Sequence, residues 1–364
     1  MTILFAAGGT GGHLYPAIAI AEEIVKREPA ARIVFVGTKK KIEARVVPRK
    51  GYEFLTIWIS GFSRTVKLNT LLFPVKVIVS LVQSFFLMMR VRPSVVVGTG
   101  GYVCGPILFI ASLLRIPTVV HESNSYPGVT TRMLAPVVDR VFITFEVTKK
   151  WLSSKARTEV VGNPTREELS AVNCDDAYRF FGLSKEKKTV FAFGGSLGAS
   201  SINKAMPALV QDAVDHDFQI VWQTGETGTQ AGMTVQHHEN IKVMKYIDRM
   251  DYGYAVADVV ISRAGATTLA ELTRLGKPAI LVPYPLAAAR HQELNAKTMV
   301  DAGAAMMIDD SQLQKVLVKE ATSLLWDAEA RHAMHEKSLA LGKSEAGKEI
   351  AEKILHITAN ASRI

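Results

Sequence analysis

Cysteine is nearly absent. Cys104 and Cys174 are the only two in 364 residues, far apart and in no metal-ligand spacing. That excludes a disulfide framework and a cysteine zinc site, and it fits a reducing compartment. Charge is also modest: 21% of residues are charged and 48% hydrophobic, with 43 Lys+Arg against 34 Asp+Glu giving a net +9. Such a composition excludes disorder. The basic excess suits an anionic partner without choosing among nucleotide, nucleic acid and phospholipid. No Lys/Arg stripe with interleaved aromatics is present, so no nucleic-acid role is expected. No basic stretch precedes the first apolar residues, and Thr2–Ala7 runs straight into glycines. A buried first strand is expected there, not a signal peptide.

Two nucleotide motifs are missing as well. No Gly-x-x-x-x-Gly-Lys-Ser/Thr occurs, which removes the P-loop. A dinucleotide fingerprint needs Gly or Ala where Leu14 stands, and an acid closing the second strand, which instead ends in Gly37-Thr38-Lys39. Hydride transfer and ATP hydrolysis become minor readings.

What is present is too long for one core, and two domains are expected. Short apolar runs alternate with helical patterns. Ile3–Ala7, Ile33–Val36, Val95–Val97, Thr118–Val120 and Val141–Thr144 read as buried parallel strands. Thr189–Phe193, Gln219–Gln223, Val259–Ile261, Ala279–Val282 and Ala305–Ile308 read likewise. The halves also echo one another, because Phe5-Ala-Ala-Gly-Gly-Thr-Gly-Gly12 aligns with Phe191-Ala-Phe-Gly-Gly-Ser-Leu-Gly198. An α/β chain of two Rossmann-like domains facing a cleft produces this repetition. The junction is expected at Gly162-Asn163-Pro164, before a polar stretch that lasts to Lys188.

The glycine loops carry the candidate chemistry. Gly8-Gly9-Thr10-Gly11-Gly12-His13 and Gly194-Gly195-Ser196-Leu197-Gly198-Ala199 each follow a strand and open a helix. Backbone N–H groups and the helix dipole there favour an oxyanion, although tight packing alone also produces such turns. A third stretch runs from Gly98 to Pro106, and His121-Glu122-Ser123-Asn124 closes a strand, where ligand crevices of open sheets lie. A loop hydrogen-bond network is the plain alternative for His121 and Glu122. Ser262-Arg263-Ala264-Gly265-Ala266-Thr267-Thr268-Leu269-Ala270-Glu271 opens another helix. Its small residues suit a diphosphate, and Glu271 suits the two hydroxyls of a ribose. Alternatively, Glu271 only complements the helix N-terminus. Downstream, His291, Gln292 and Asn295 suit neutral sugar hydroxyls, and Arg166 suits a phosphate.

Taken in order, Gly-Gly-Thr-Gly-Gly-His, Gly-Thr-Gly-Gly-Tyr-Val-Cys-Gly-Pro, His-Glu-Ser-Asn, Val-Gly-Asn-Pro-Thr-Arg, Gly-Gly-Ser-Leu-Gly-Ala and Gly-Ala-Thr-Thr-Leu-Ala-Glu cover nearly the whole chain. In these motifs the chain resembles the MurG family, bacterial N-acetylglucosaminyltransferases that convert lipid I to lipid II in peptidoglycan synthesis. The resemblance implies a GT-B glycosyltransferase with UDP-N-acetylglucosamine as donor. It implies inverting, metal-independent transfer to the 4-hydroxyl of the muramic acid in undecaprenyl-pyrophosphoryl-MurNAc-pentapeptide, with no cofactor. By motif, Thr10, Gly11, Gly12, Asn124, Arg166 and Ser196 fall on donor or diphosphate contacts. Ile247 falls on the residue meeting uracil through its backbone, Ala266 to Glu271 on the ribose-diphosphate segment, and Gln292 on the sugar contact. His13 is the candidate base and Glu122 its rival. The expected division is 1–162, an acceptor- and membrane-facing domain completed by a C-terminal helix 341–364, and 163–340, a UDP-sugar-binding domain. One departure stands out: the family has an acid shortly before the His-Gln pair, where this chain has Ala287-Ala288-Ala289-Arg290, which leaves two alternatives for the sugar reader, His291 and Gln292.

No stretch reads as a spanning helix. The candidate, Leu71–Met89, is interrupted by Pro74, Lys76, Ser80, Gln83 and Ser84. As a helix it separates Lys76, Ser80, Gln83 and Ser84 from Val75, Ile78, Val82, Phe85 and Met89. It is either an ordinary sheet-covering helix or, with Arg64, Lys67, Lys76, Arg90 and Arg92 around it, an interfacial anchor on anionic lipid. The resemblance implies a peripheral protein on the cytoplasmic face of the bacterial cell membrane. Two other functions stay open: a different glycosyltransferase of this fold, acting for instance on diacylglycerol, and a catalytically idle nucleotide-sugar-binding subunit.

Overall fold

The computed structural model describes residues 1–61, 72–165, 169, 172–195, 197–226, 228 and 238–361. The chain divides into two compact units, Met1–Thr165 with Ser344–Ile364, and Arg166–Lys343.

The first unit is a parallel sheet of β1 (Thr2–Ala6), β2 (Arg32–Gly37), β3 (Glu53–Thr56), β4 (Val95–Gly98), β5 (Thr118–Glu122), β6 (Arg140–Ile143) and β7 (Thr158–Val160). The spatial order is β3-β2-β1-β4-β5-β6-β7. Its helices are α1 (Gly11–Arg27), α2 (Ile42–Arg49), α3 (Phe73–Val91), α4 (Cys104–Leu113) and α5 (Val129–Leu134). Every residue of β4 and β5 is buried, as a parallel sheet covered on both faces requires. On α1 the buried Leu14, Ala17, Ile18, Ala21 and Ile24 recur at helical spacing and form its sheet-facing stripe.

In the second unit α6 (Cys174–Phe181) precedes β8 (Thr189–Phe193), α7 (Ser200–Asp215), β9 (Gln219–Gln223) and β10 (Ile241–Met244). Then come α8 (Met250–Val256), β11 (Val259–Ser262), α9 (Ala266–Leu275), β12 (Ala279–Leu281), α10 (His291–Asp301) and β13 (Met306–Met307). Two helices, α11 (Leu313–Trp326) and α12 (Ala328–Leu341), complete it. The parallel order β10-β9-β8-β11-β12-β13 repeats that of the first sheet. The last helix, α13 (Ala346–Ala361), packs in the first unit, with Ile350, Ala351 and Ile354 in its core and Lys353 paired to Glu159 at 2.9 Å.

Both sheets carry the order 3-2-1-4-5-6, whose direction reverses between the first and fourth strands. Ligands of open α/β sheets bind outside the strand C-termini at such a switch point. The two glycine loops follow β1 and β8, the third glycine stretch follows β4, and the Ser262–Glu271 segment follows β11. All four therefore flank a switch point of their own unit.

The Phe73–Val91 helix bears on two expectations and corrects one, the placement of Lys76. With 19 residues and a mean hydropathy of 1.5 it is long and apolar enough to cross a membrane, by length and composition. It also lies inside out. Lys76, Ser80 and Ser84 are buried, whereas Val75, Ile78, Val82, Phe85, Phe86 and Met89 are exposed. The buried polar stripe is satisfied locally: Lys76 Nζ donates to Ser60 Oγ at 3.1 Å and Ser84 Oγ to the Ser80 carbonyl at 2.6 Å. Lys76 thus does not belong to a surface cluster. Arg90 and Arg92 are exposed at the helix end, and Arg64, Lys67 and Leu71 lie outside the described residues.

Candidate functional site

In the first unit three loops close around His13. Its Nδ1 lies 3.2 Å from Thr10 Oγ1 and 3.4 Å from the Gly8 carbonyl, and its own carbonyl accepts from Thr99 Oγ1 at 2.7 Å. A Cβ on Gly100 would sit 2.7 Å from the imidazole Cδ2, and one on Gly101 would sit 2.4 Å from Gly8 O. Both glycines have positive φ, 102° and 84°. The third glycine stretch is therefore glycine so that β4's loop can close on the histidine. Cys104 Sγ donates to the Ala6 and Gly100 carbonyls, both at 3.0 Å, and burial pushes the thiol up to about 12. It is a structural tie between loops, not a nucleophile.

The sequence did not announce Glu43. It is fully buried on α2, and its carboxylate accepts from Gly9 N (3.2 Å), Thr38 N (3.1 Å) and Thr38 Oγ1 (2.8 Å). It fixes the entrance of the first glycine loop. Thr10 and Gly12 are exposed and Gly11 half-buried, at the start of α1.

Glu122, at the end of β5, accepts four hydrogen bonds. Oε1 receives Asn124 N and Nδ2, both at 3.1 Å, and Oε2 receives Gly128 N at 2.9 Å and Thr131 Oγ1 at 2.7 Å. Beside it, His121 is buried and its Nε2 is 2.9 Å from the Gly162 carbonyl. Burial lowers the His121 pKa. A neutral imidazole donating to that carbonyl satisfies both groups. Ser123 Oγ donates to Asn163 Oδ1 at 2.9 Å.

In the second unit Gly265 precedes α9, with Ala266 buried and Thr267 and Thr268 half-buried at the helix start. Leu269 packs inward, Ala270 is half-buried, and Glu271 is buried with Oε2 accepting from Tyr254 Oη at 2.8 Å. The helices opened by the motif loops, α1, α7 and α9, carry no acid in the first turn and no side-chain cap. The first turns of α6, α8, α10 and α12 carry Asp or Glu, whereas α3, α4, α5 and α11 lack an acid and a cap as the motif helices do. What sets α1, α7 and α9 apart is the glycine loop before each, where an anion can approach the uncapped N–H groups. Ile247 is buried and its N–H donates to Gln223 Oε1 at 2.8 Å. Arg166 and Ser196 lie outside the described residues.

Gln292 Oε1 accepts from Tyr284 N at 2.9 Å, and His291 Nδ1 is 2.8 Å from the Ala288 carbonyl. Asn295 is corrected as a sugar reader: it is fully buried and its Nδ2 donates to the Ala264 carbonyl at 3.2 Å. Arg263, half-buried, gathers the Val282 and Pro283 carbonyls, Ser201 and Asp310. At the position of the missing acid, Ala289 and Arg290 both adopt positive φ, 51° and 53°.

Residues 3–143 match the glycosyltransferase family 28 N-terminal domain and residues 189–354 the family 28 C-terminal domain. A protein of Caldanaerobacter subterraneus subsp. tengcongensis is 40% identical, covering 98% of this chain and 100% of that one. One of Thermoanaerobacter sp. is 40% identical over the same shares. Both are called UDP-N-acetylglucosamine–N-acetylmuramyl-(pentapeptide) pyrophosphoryl-undecaprenol N-acetylglucosamine transferase. Among solved structures, MurG of Acinetobacter baumannii superposes with a TM-score of 0.77 at 26% identity, covering 98% of this chain and 99% of that one.

Proposed function

The chain belongs to glycosyltransferase family 28, and from that premise we propose that it transfers N-acetylglucosamine from UDP-N-acetylglucosamine to the muramyl 4-hydroxyl of lipid I. The observation that carries this reading is the full-length likeness to enzymes bearing that activity in their names. The second unit is assigned the donor. Its uncapped helix N-termini suit the diphosphate, Glu271 the ribose, the Ile247 backbone the uracil, and Gln292 the sugar. Ser196 and Arg166 are assigned phosphate contacts. Thr10, Gly11, Gly12 and Asn124 keep their assignment as donor or diphosphate contacts.

The chemistry asked of the protein is one displacement. The acceptor oxygen bonds to the anomeric carbon as the bond from that carbon to the UDP oxygen breaks, inverting the centre. The acceptor proton goes to a base, and UDP departs with the electron pair, stabilised by loop amides and helix dipole. His13 suits the base. The Gly8 carbonyl can only accept, so a proton on Nδ1 satisfies that contact and puts the lone pair on Nε2, the tautomer a base requires. Glu122 suits that task less well, because four donors already hold its two oxygens; its role is to shape the Asn124–Thr131 loop.

The first unit is assigned the membrane-bound acceptor. Exposed apolar side chains along Phe73–Val91, with Arg90 and Arg92 at its end, suit an interface of anionic lipid. The reading places the protein peripherally on the cytoplasmic face. The test is direct. Labelled UDP-N-acetylglucosamine and a lipid I analogue should give a β-linked disaccharide. Product with diacylglycerol instead would favour another glycosyltransferase, and no product with tight UDP-sugar binding would favour an idle binding subunit.

A further inference from the structure

Gln223 ends β9 and is 2% exposed, yet it belongs to none of the motifs. Both ends of its amide are used. Oε1 accepts the Ile247 N–H at 2.8 Å, and Nε2 donates to the Gly195 carbonyl at 3.2 Å. That carbonyl also accepts from Gly198 N at 3.0 Å, so one oxygen gathers the turn of the second glycine loop. The backbone after Gln223 is wedged between the same two segments. Thr224 N and Gly225 N donate to the Met244 and Lys245 carbonyls, each at 2.9 Å. On the other side, a Cβ on Gly225 would come within 2.1 Å of Gly198 N.

We propose that Gln223 is a positioning residue for the donor nucleotide, setting the distance between the residue that meets the base and the loop that meets the diphosphate. The proposal rests on the donor assignment made above. A carboxamide is planar, so its oxygen and nitrogen cannot move independently. A shift of Ile247 is passed to Gly195, and the glycine loop is held in register with the base reader before any ligand arrives. Preorganisation of this kind raises affinity by lowering the ordering cost of binding.

The experiment measures dissociation constants for UDP, uridine and ADP by calorimetry on the full chain, in wild type, Gln223→Met and Gln223→Glu. Methionine fills the space and makes neither bond. UDP should bind about tenfold more weakly, the scale of one net hydrogen bond. Both the preference for UDP over ADP and the gain of UDP over uridine should shrink. Glutamate still accepts from Ile247 but, ionised, cannot donate to Gly195. It should keep the base preference and lose the diphosphate gain. Thermal melts establish that each variant folds, and if methionine does not, the two ratios in the glutamate variant decide. Folded variants that bind UDP as wild type does, or that lose all three ligands by one common factor, overturn the proposal. A wild type that does not prefer UDP over ADP removes the donor assignment itself, and this proposal with it.

Discussion

Tyr254 donates its phenolic proton to Glu271 Oε2 across 2.8 Å, and both side chains are buried. The tyrosine comes from α8, where its ring packs edge-on to Phe191 and Phe193 at 5.5 and 5.8 Å. The carboxylate assigned to the ribose is therefore aimed by a second helix and by the core of its own unit, and not by α9 alone.

That geometry predicts a graded loss. Glu271→Ala should weaken UDP binding by about 1.5–3 kcal/mol, the scale of charged hydrogen bonds, and Tyr254→Phe by about 0.5–1.5 kcal/mol. If the carboxylate meets ribose hydroxyls, Glu271→Ala should also erase the preference for UDP over 2′-deoxy-UDP. Calorimetry showing that preference intact would return Glu271 to a purely structural role.

Burial lowers the His121 pKa, which has a pH consequence. Below about pH 6.5, the ordinary histidine value, the unfolded chain takes up a proton that the native imidazole refuses. Stability therefore falls as pH drops from there towards the lowered native value. His121→Gln keeps a donor for the Gly162 carbonyl and should flatten this decline. Urea unfolding at pH 7.5 and 5.5 measures it; equal declines in both proteins would mean that His121 contributes nothing to acid sensitivity.

How legible all this was varies with burial. Central strands such as β1, β4, β8 and β11 stood out because a sheet covered on both faces demands unbroken apolar runs. The strands that escaped notice, β3, β7 and β10, are all sheet edges, half-exposed and short. The glycine loops were legible as motifs. Their supports were not: Glu43, Gln223 and Tyr254 act across strands through contacts no local pattern encodes. Periodicity divided Phe73–Val91 into two faces and misplaced only Gln83, which is exposed with the apolar side chains and accepts from Trp58 N at 2.7 Å, but it does not say which face turns inward. Burial of Ser80, Ser84 and Lys76 decides that.

The inverted helix predicts salt-resistant and salt-sensitive parts of lipid binding. Ile78→Asp with Phe86→Asp, both more than 60% exposed, should weaken binding to anionic vesicles by about 1.5–3 kcal/mol per side chain at any salt. Arg90→Glu with Arg92→Glu should cost about 1 kcal/mol per site and only at low salt. Sedimentation unchanged by all four would leave this face without a lipid role.

Ala289 and Arg290 sit in the left-handed region directly before α10, at a cost of roughly 1–2 kcal/mol per non-glycine residue. Ala289→Gly should remove part of that strain. The melting temperature of the second unit should rise by about 2–4 °C. Strain beside Gln292 also suits a turn shaped for a ligand, so the stabilised variant should bind UDP-N-acetylglucosamine less well relative to UDP. A lower melting temperature would show that the turn carries no strain.

His13 and Glu122 make opposite predictions for the catalytic step. A base acts only as the acceptor oxygen attacks, so its loss lowers turnover without weakening donor binding. His13→Ala should reduce turnover by about 10²–10⁴-fold with the donor KM near wild type. Its effect should include loss of the acidic limb of the pH–rate profile, because that limb reports protonation of the base. Glu122→Gln makes a different defect. The amide still accepts at its oxygen but opposes the Gly128 N–H or Thr131 hydroxyl with its own donors, so the loop ending at Thr131 loosens. Acceptor KM should rise and the acidic limb should remain. If instead Glu122→Gln removes that limb and His13→Ala only raises donor KM, the roles are reversed: the carboxylate is the base, and the imidazole is a phosphate ligand at the mouth of the first glycine loop.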